Sequence, residues 1–391
     1  MYREKETCIT GIGQSAIYRK PTVYPFTLAL DACEAAIADA GLTPADIDGV
    51  ACHPLGSSMV GEGNASASPT DIQKSLDLKL SYYGSGENAA QFSPVLNAIA
   101  AITAGYCKHV LVWRAMGERW IPMYSHGFKA AVLPRSVSWK VWLEPFWAPS
   151  ASNWVGIHAS AHMHKYGIPR EQMSAIPIVQ RRNAARNPKA IYREPLTLDQ
   201  YMDARMVSTP FCLYDCDVPC DGTTAVVISR ADLAKDMRQK PVFFEAVGGG
   251  AQGNIGDWVS RPDFPDMMMH DAAKMMWSRT DLKPKDVDTA HLYDGFTYLT
   301  MFWLEALGFC KEGESGAFIE GGHRISPDGE LPLNTNGGQL SEGRMHAFGH
   351  LHEAVLQLRG QAGDRQIKDA KVSVSGVGGG GLGGAVLLRA D

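Results

Sequence analysis

Two short runs late in the chain carry the side chains best suited to chemistry. Tyr293-Asp294-Gly295-Phe296 sets a phenol and a carboxyl side by side at the end of a strand predicted at 289–293, and Arg344, His346, His350 and His352 follow as a dense basic cluster. A fixed guanidinium suits an oxygen on which negative charge develops. A histidine moves protons near neutrality, and His346 is the candidate carrier, with a helix-start histidine bonded to a carbonyl as its plainer reading. Asp294 reads first as a structural group holding backbone amides or Arg344, ahead of a role in the chemistry. His346 and His350 stand at i and i+4, a spacing that can hold a metal on a helix, yet no His-Glu-x-x-His pattern accompanies them. Cys212, Cys216 and Cys220 are also evenly spaced, but nothing pairs with them at zinc-finger spacing. No metal is expected. In the first half the candidate is Tyr83-Gly84-Ser85-Gly86. The stripe Phe92, Val95, Leu96, Ile99 and Ile102 predicts a helix over 87–104, so this turn would offer backbone amides and the positive end of a helix dipole to a ligand. The glycine run around Gly380 and Gly381 lacks a Gly-Lys-Ser/Thr ending, and reads as a place where backbone approaches a reacting group closely.

The elements that must position these groups are laid out twice. A helix over 26–40 is followed by Leu42-Thr-Pro-Ala-Asp-Ile-Asp48 and a strand at 49–53. A helix beginning at Asp271 is followed by Leu282-Lys-Pro-Lys-Asp-Val-Asp288 and a strand at 289–293. The L-x-P-x-D-[I/V]-D pattern recurs at an offset of 240 with like elements around it, the mark of an internal duplication. Helices alternating with short buried strands imply α/β sheets with right-handed crossovers. The first half runs over 1–236 and the second over 237–391, and the first is interrupted at about 114–210 by a tryptophan-rich insertion. That insertion reads as a satellite core or as a cover over a bulky apolar ligand.

The chain has 391 residues, 45% of them hydrophobic and 20% charged, enough for a large core in an ordinary globular protein. Its net charge of −5 and lack of a basic run argue against nucleic acid as a partner. No apolar run is long enough to span a bilayer and the N-terminus carries no signal-like apolar stretch, so a cytoplasmic location is expected. Eight scattered cysteines point to reduced thiols rather than to a disulfide framework. Arg181, Arg182, Arg186 and Lys189 read as a solvated face, or as a contact for nucleotide phosphates.

The blocks MHKYGIPREQM at 163–173, LYDCDVPCDGTTAVVIS at 213–229, YDGF at 293–296, NTNGGQLSEG at 334–343 and the terminal GGGGLGGAVLL resemble the sterol-carrier-protein-x branch of the thiolase superfamily. Within it the chain is similar to the bacterial steroid side-chain-cleaving acyl-CoA aldolases. The resemblance implies a five-layered αβαβα fold of two duplicated halves and a homodimer. It also implies a coenzyme A thioester as substrate with no permanently bound cofactor, and a small zinc-ribbon/OB-fold partner. It places Tyr293 at a catalytic tyrosine of those aldolases and Arg344 where they carry a second one. Tyr83, Gly84, Ser85, Gly86, Asp294, Gly338, Gly380 and Gly381 would surround the thioester.

In thiolases the nucleophilic cysteine stands directly before the Gly-Ser-Gly turn, and Tyr83 takes its place here, as a plug or as a lining residue. The family's two histidine blocks have Arg344 and Tyr293, and the C-terminal glycine block has neither cysteine nor histidine. A thiolate is what attacks a thioester efficiently, so covalent acyl transfer is not expected. The reading is a lyase that cleaves a β-hydroxyacyl-CoA by retro-aldol chemistry, with Arg344 holding the enolate and lowering the pKa of Tyr293. The alternatives are an acyltransferase working without that cysteine, and a silent acyl-CoA-binding subunit.

Overall fold

The duplication seen in the sequence is built into the strand order. The computed structural model describes residues 2–20, 22–53, 67–86, 88–119, 144–148, 150–250, 266–379 and 381–390. The first half contributes β1 (Thr7–Gln14), β2 (Gly49–Cys52), β3 (Tyr82–Ser85), β4 (Asn88–Gln91), β5 (His109–Gly117), a small hairpin of β6 (Met206–Ser208) and β7 (Phe211–Cys212), and β8 (Asp221–Arg230). The second contributes β9 (Val242–Gly250), β10 (Thr289–Leu292), β11 (Val372–Gly378) and β12 (Gly383–Arg389). Nine of these form one sheet in the order β10-β11-β12-β9-β1-β8-β5-β2-β3. Read outward from β1 and β9, the two sides match. In one, β8 and β5 are antiparallel and β5 and β2 parallel; in the other, β12 and β11 are antiparallel and β11 and β10 parallel. The two sides meet through only two residue pairs, Cys8 with Phe243 and Ile9 with Val242.

The helices that matter here are α1 (Pro25–Ala40), α2 (Ser93–Thr103), α3 (Ala151–Tyr166), α4 (Met268–Trp277), α5 (Thr297–Ala306), the short α6 (Gly338–Ser341) and α7 (Phe348–Arg359). Three apolar clusters reveal the layers. One joins α1 to the outer face of β2, β5 and β8. A second joins α4 and α5 to the outer face of β10, β11 and β12. The third lies between the two sides of the sheet and holds α2 and α7, whose Phe92 and Phe348 rings meet edge-on with centroids 6.4 Å apart. Helix, sheet, helix, sheet, helix is the expected layering.

The repeated L-x-P-x-D-[I/V]-D segment has one physical job in both halves. Proline opens a short turn at Pro44 and at Pro284, where its missing N–H costs nothing. Asp46 and Asp286 each accept a hydrogen bond from the amide three residues back, at Thr43 and Lys283, both at 2.8 Å. Asp48 accepts from the amides of Lys108 and His109, and Asp288 from those of Lys371 and Val372. Each aspartate ties the start of β2 or β10 to the start of its parallel neighbour.

The eight cysteines are free thiols and none is exposed. Among the described residues no helix is long and apolar enough to cross a membrane. Within the tryptophan-rich insertion, residues 120–143, with Trp120, Trp139 and Trp142, lie outside the described residues.

Candidate active site

Tyr293 is the first residue past β10, and the chain holds it from three directions. Its amide donates to the Gly376 carbonyl at 3.0 Å. One residue earlier, the Asn334 side chain bonds both the amide and the carbonyl of Leu292, at 2.8 and 2.9 Å. The phenol ring then folds back over Gly295, where a Cβ would stand 2.8 Å from the ring. Glycine is required there by close approach.

The ring faces a cavity of about 170 Å³ between the ends of the strands and α3. Its apolar wall is built by Ala90, Trp154, Val155, Phe296, Leu299 and Leu382, and its polar wall by His53, Gln91, Asp217, Tyr293, Arg344 and His346. The sequence-expected Tyr293, Arg344 and His346 therefore come together. Trp154 from the insertion does reach the site, while Trp147 is exposed.

Arg344 is held at both ends of its guanidinium, by Asp217 at 2.6 Å and by Glu118 at 2.9 Å. Burial works against its charge, but these two carboxylates outweigh burial and raise its pKa. Burial lifts the Asp217 carboxyl to about 7, with Arg344 pulling the other way. It also raises Glu118, again against Arg344. Asp217 is positioned by its own backbone, whose amide donates to the Gly295 carbonyl at 3.2 Å.

His346 does not start a helix. It lies before α7 with a left-handed backbone, φ +46°, and Ala347 follows at +64°. Two consecutive non-glycine residues in that region store strain at the cavity wall. The Nδ1 of His346 is 2.8 Å from the Arg114 guanidinium. A guanidinium only donates, so Nδ1 accepts and the proton of the neutral ring sits on Nε2. Burial, followed by Arg114, Arg344 and His53, holds the ring pKa well below its usual value. His346 is thus a neutral hydrogen-bond donor through Nε2 and a poor proton carrier, which corrects the expectation from its type.

A second correction concerns Tyr293. Burial raises the phenol pKa, Asp217 raises it further, and the opposing pull of Arg344 does not overcome them. Arg344 spends its charge on Asp217 and Glu118, so the phenol stays protonated at neutral pH.

Several expected residues lie elsewhere. The helix begins at Ser93 rather than at 87, and residues 82–85 and 88–91 are strands. The segment that enters α2 at the cavity is therefore the end of β4, with Ala90 and Gln91, not Gly84-Ser85-Gly86. Tyr83 is half exposed, with its hydroxyl 3.3 Å from the Thr70 hydroxyl. Ser85 is exposed, Gly86 is partly buried, and Gly84 packs under the Tyr82 ring; none lines the cavity. Asp294 bonds His350 at 2.9 Å and the Leu340 amide at 3.3 Å. A Cβ on Gly338 would stand 2.1 Å from the Asp294 carboxylate, so these two residues fit against each other and not against a ligand. Gly380 lies outside the described residues and Gly381 is buried away from the lining, while Gly378 and Gly379 take part in it. Arg181 is buried and bonds the Ser341 hydroxyl, and Lys189 bonds the Gln14 carbonyl.

The residues missed from sequence are His53, Gln91, Arg114, Glu118 and Asp217. His53 had a signal: it stands 240 residues before Tyr293, the offset of the repeat. Asp217 lies within the LYDCDVPCDG block, where one of several acidic residues could not be singled out by spacing.

With this geometry in hand, comparison with known proteins is informative. Residues 252–388 match the family model described as Thiolase C-terminal domain-like. The 17-hydroxy-3-oxo-4-pregnene-20-carboxyl-CoA lyase of Mycobacterium tuberculosis is 33% identical over 368 residues, covering 91% of this chain and 92% of that one. A steroid side-chain-cleaving aldolase of Thermomonospora curvata is 33% identical over 363 residues, covering 90% of each. Among solved structures, the Ltp2-ChsH2(DUF35) aldolase superposes with a TM-score of 0.89 at 29% identity, covering 100% of this chain and 99% of that one.

Proposed function

Because the chain belongs to the thiolase-like family of steroid side-chain-cleaving acyl-CoA aldolases and lyases, we propose that it cleaves a β-hydroxyacyl-CoA with a bulky, steroid-like acyl group into a ketone and a shorter acyl-CoA. It is a carbon–carbon lyase acting on an acyl-CoA. One observation carries the retro-aldol reading over acyl transfer. At the cavity, the entry to α2 presents Ala90 and Gln91, while Tyr293 and His346, their ring centroids 6.5 Å apart, line the same space. Cys52, the thiol next to His53, packs with the outer α1 cluster, and burial pushes its pKa up to about 12. Without a thiolate at the cavity, the cysteine acyl-enzyme of thiolase chemistry has no nucleophile.

In the cleavage, the Cα–Cβ bond pair passes onto the thioester as an enolate. A neutral imidazole N–H fixed by a buried guanidinium is a preorganised donor to that developing oxyanion. A protonated phenol is a fit donor to the enolate carbon, which is far more basic than phenolate. Trp154, Phe296 and Leu299 supply an apolar wall for the ketone fragment.

Coenzyme A enters as part of the substrate, and no permanent cofactor is invoked. The structural relative is named as the Ltp2-ChsH2(DUF35) aldolase, which supports a DUF35-type partner for this chain; we take that partner to be the small zinc-ribbon/OB-fold protein that the family resemblance implies. A homodimer about the thiolase-like core, the division of the halves at 236/237 and a cytoplasmic site of action complete the proposal.

The direct test supplies 17-hydroxy-3-oxo-4-pregnene-20-carboxyl-CoA, with and without a DUF35-type partner, and follows the ketone and the shortened thioester by mass spectrometry. Tyr293→Phe should lower kcat by about 10²-fold, the usual scale for loss of a positioned proton donor. Free coenzyme A with no ketone would instead indicate acyl transfer.

A further inference from the structure

Retro-aldol cleavage moves one proton from oxygen to carbon, so a site that runs it needs an acceptor for the hydroxyl proton and a route for returning it. Resting on the lyase reading above, we propose that Asp217 is that acceptor: its carboxylate takes the β-hydroxyl proton and passes it to Tyr293 once the phenol has protonated the enolate carbon.

The placement is specific. The backbone of Asp217 is bonded to Gly295, the glycine under the Tyr293 ring, and Cys216 bridges to Phe296. The carboxylate and the phenol are therefore carried on two segments joined by their main chains, and both line the cavity. The side chain of Asp217 is almost wholly shielded from solvent, and its Oδ1 is anchored 2.6 Å from Arg344. That leaves a carboxylate with fixed direction and one tethered oxygen, the usual build of a positioned base.

Competing groups fit less well. The acceptor nitrogen of His346 is already turned to the Arg114 cation. Glu118 bonds Arg344 and is not among the lining residues. Tyr293 keeps its proton at neutral pH, so it can give one first but cannot take one first. His53 is the remaining titratable group on the wall, and the test below includes it.

The protons balance. The hydroxyl proton goes to Asp217 as the Cα–Cβ pair becomes the enolate and the carbinol becomes the ketone. The Tyr293 proton goes to the enolate carbon, forming the new C–H bond. The proton on Asp217 then moves to the phenolate, and the site returns to its starting state with nothing consumed.

The charges facing Asp217 are Arg344, Glu118 beyond it, and Asp294, and the neutral Tyr293 phenol stands against it as well. Cys216 and Cys220 stand beside it as neutral thiols raised by burial. Because the acceptor must begin deprotonated, turnover should fall as pH drops through about 7.

The experiment measures ketone release from the same pregnene-carboxyl-CoA thioester across pH 5 to 9. Wild type, Asp217→Asn, Asp217→Glu and His53→Gln are compared as the full chain with its partner. Asp217→Asn should lose about 10²-fold or more in kcat with KM within about threefold, because the amide still caps Arg344 but takes no proton. Asp217→Glu should keep measurable turnover with its acidic limb displaced, a readout that a merely structural role would leave alone. The assignment is overturned if Asp217→Asn stays within tenfold of wild type, or if the acidic limb disappears in His53→Gln instead. Should Asp217→Asn fail to fold, the limb in Asp217→Glu decides: displaced supports the assignment, unmoved overturns it. A wild type that releases no ketone refutes the lyase reading itself, which keeps the two failures apart.

Discussion

The two repeat units are alike where they touch backbone and unlike where they touch the cavity. Asp48 and Asp288 stand 240 residues apart and do the same work, each accepting from two main-chain amides of the neighbouring strand. One turn of chain later the equivalent pairs are Cys52-His53 and Leu292-Tyr293, and both second members line the cavity. A backbone amide is the same in every sequence, so the residue that satisfies it is under a constraint that duplication copies. A cavity wall answers only to the chemistry performed there, and the halves are free to diverge. At this wall the first half supplies His53, Gln91 and Asp217 and the second Tyr293, Arg344 and His346; Arg114 and Glu118 stand behind them, and the contacts Arg114–His346, Asp217–Arg344 and Glu118–Arg344 run between the halves.

The largest effect should come from breaking that cross-half pairing. Arg344→Met leaves Asp217 and Glu118 in a buried site without the guanidinium that bonds both. Removing one partner from a buried pair costs about 3–5 kcal/mol. The sign with pH follows from the direction of the shifts. Both carboxyls already have folded pKa values raised above their unfolded ones, so they cost stability as pH rises through the folded values. Losing Arg344 raises them further. Denaturation followed at pH 8 and pH 5 should therefore show the larger gap from wild type at pH 8, and the acidic limb of turnover should move upward. A gap that is equal at both pH values would detach Arg344 from the two carboxylates.

A smaller and more even effect belongs to the paired tethers. Asp48→Ala and Asp288→Ala each strand two amides that a carboxylate had satisfied, and each should cost about 1–3 kcal/mol. The comparison sharpens if the two values agree within a factor of two, with kcat unchanged in both. If only one variant is destabilised, the two segments share a pattern without sharing a role.

The same division explains what could be read from the sequence. The layers, the repeat and the strand positions were legible because period, proline turns and glycine stops act over neighbouring residues. Tyr293 and Arg344 were legible because they align with blocks of a known family, and His346 because a histidine two positions past Arg344 suits proton transfer. What failed was local. The sequence places Tyr83 at the cavity because a Gly-Ser-Gly turn before an apolar stripe suggests a helix start. The chain instead inserts β4 and opens α2 at Ser93 after the strained Ala90, φ +49°. The protonation states were illegible for another reason. A phenol beside an arginine looks activated in one dimension, but Asp217 and Glu118 reach Arg344 from distant segments and take its charge first.

The smallest expected effect tests the one feature that could restore a covalent reading. Cys52 sits where the second half has Leu292, at the end of its strand and next to a cavity residue. Position alone would nominate it as a displaced nucleophile. Its surroundings argue otherwise, since its side chain packs with Ile72 and Trp113 in the outer cluster, turned to the same layer as α1. With the thiol pushed up to about 12, the fraction ionised at pH 8 is about 10⁻⁴, too small for efficient attack on a thioester. Iodoacetamide should therefore leave ketone release unchanged during the time in which a small free thiol is fully alkylated. Cys52→Ala should lower stability by about 1 kcal/mol through lost packing while kcat stays within twofold. A kcat that falls in step with alkylation of Cys52, and is equally lost in Cys52→Ala, would make the two repeat positions catalytic partners and return acyl transfer to first place.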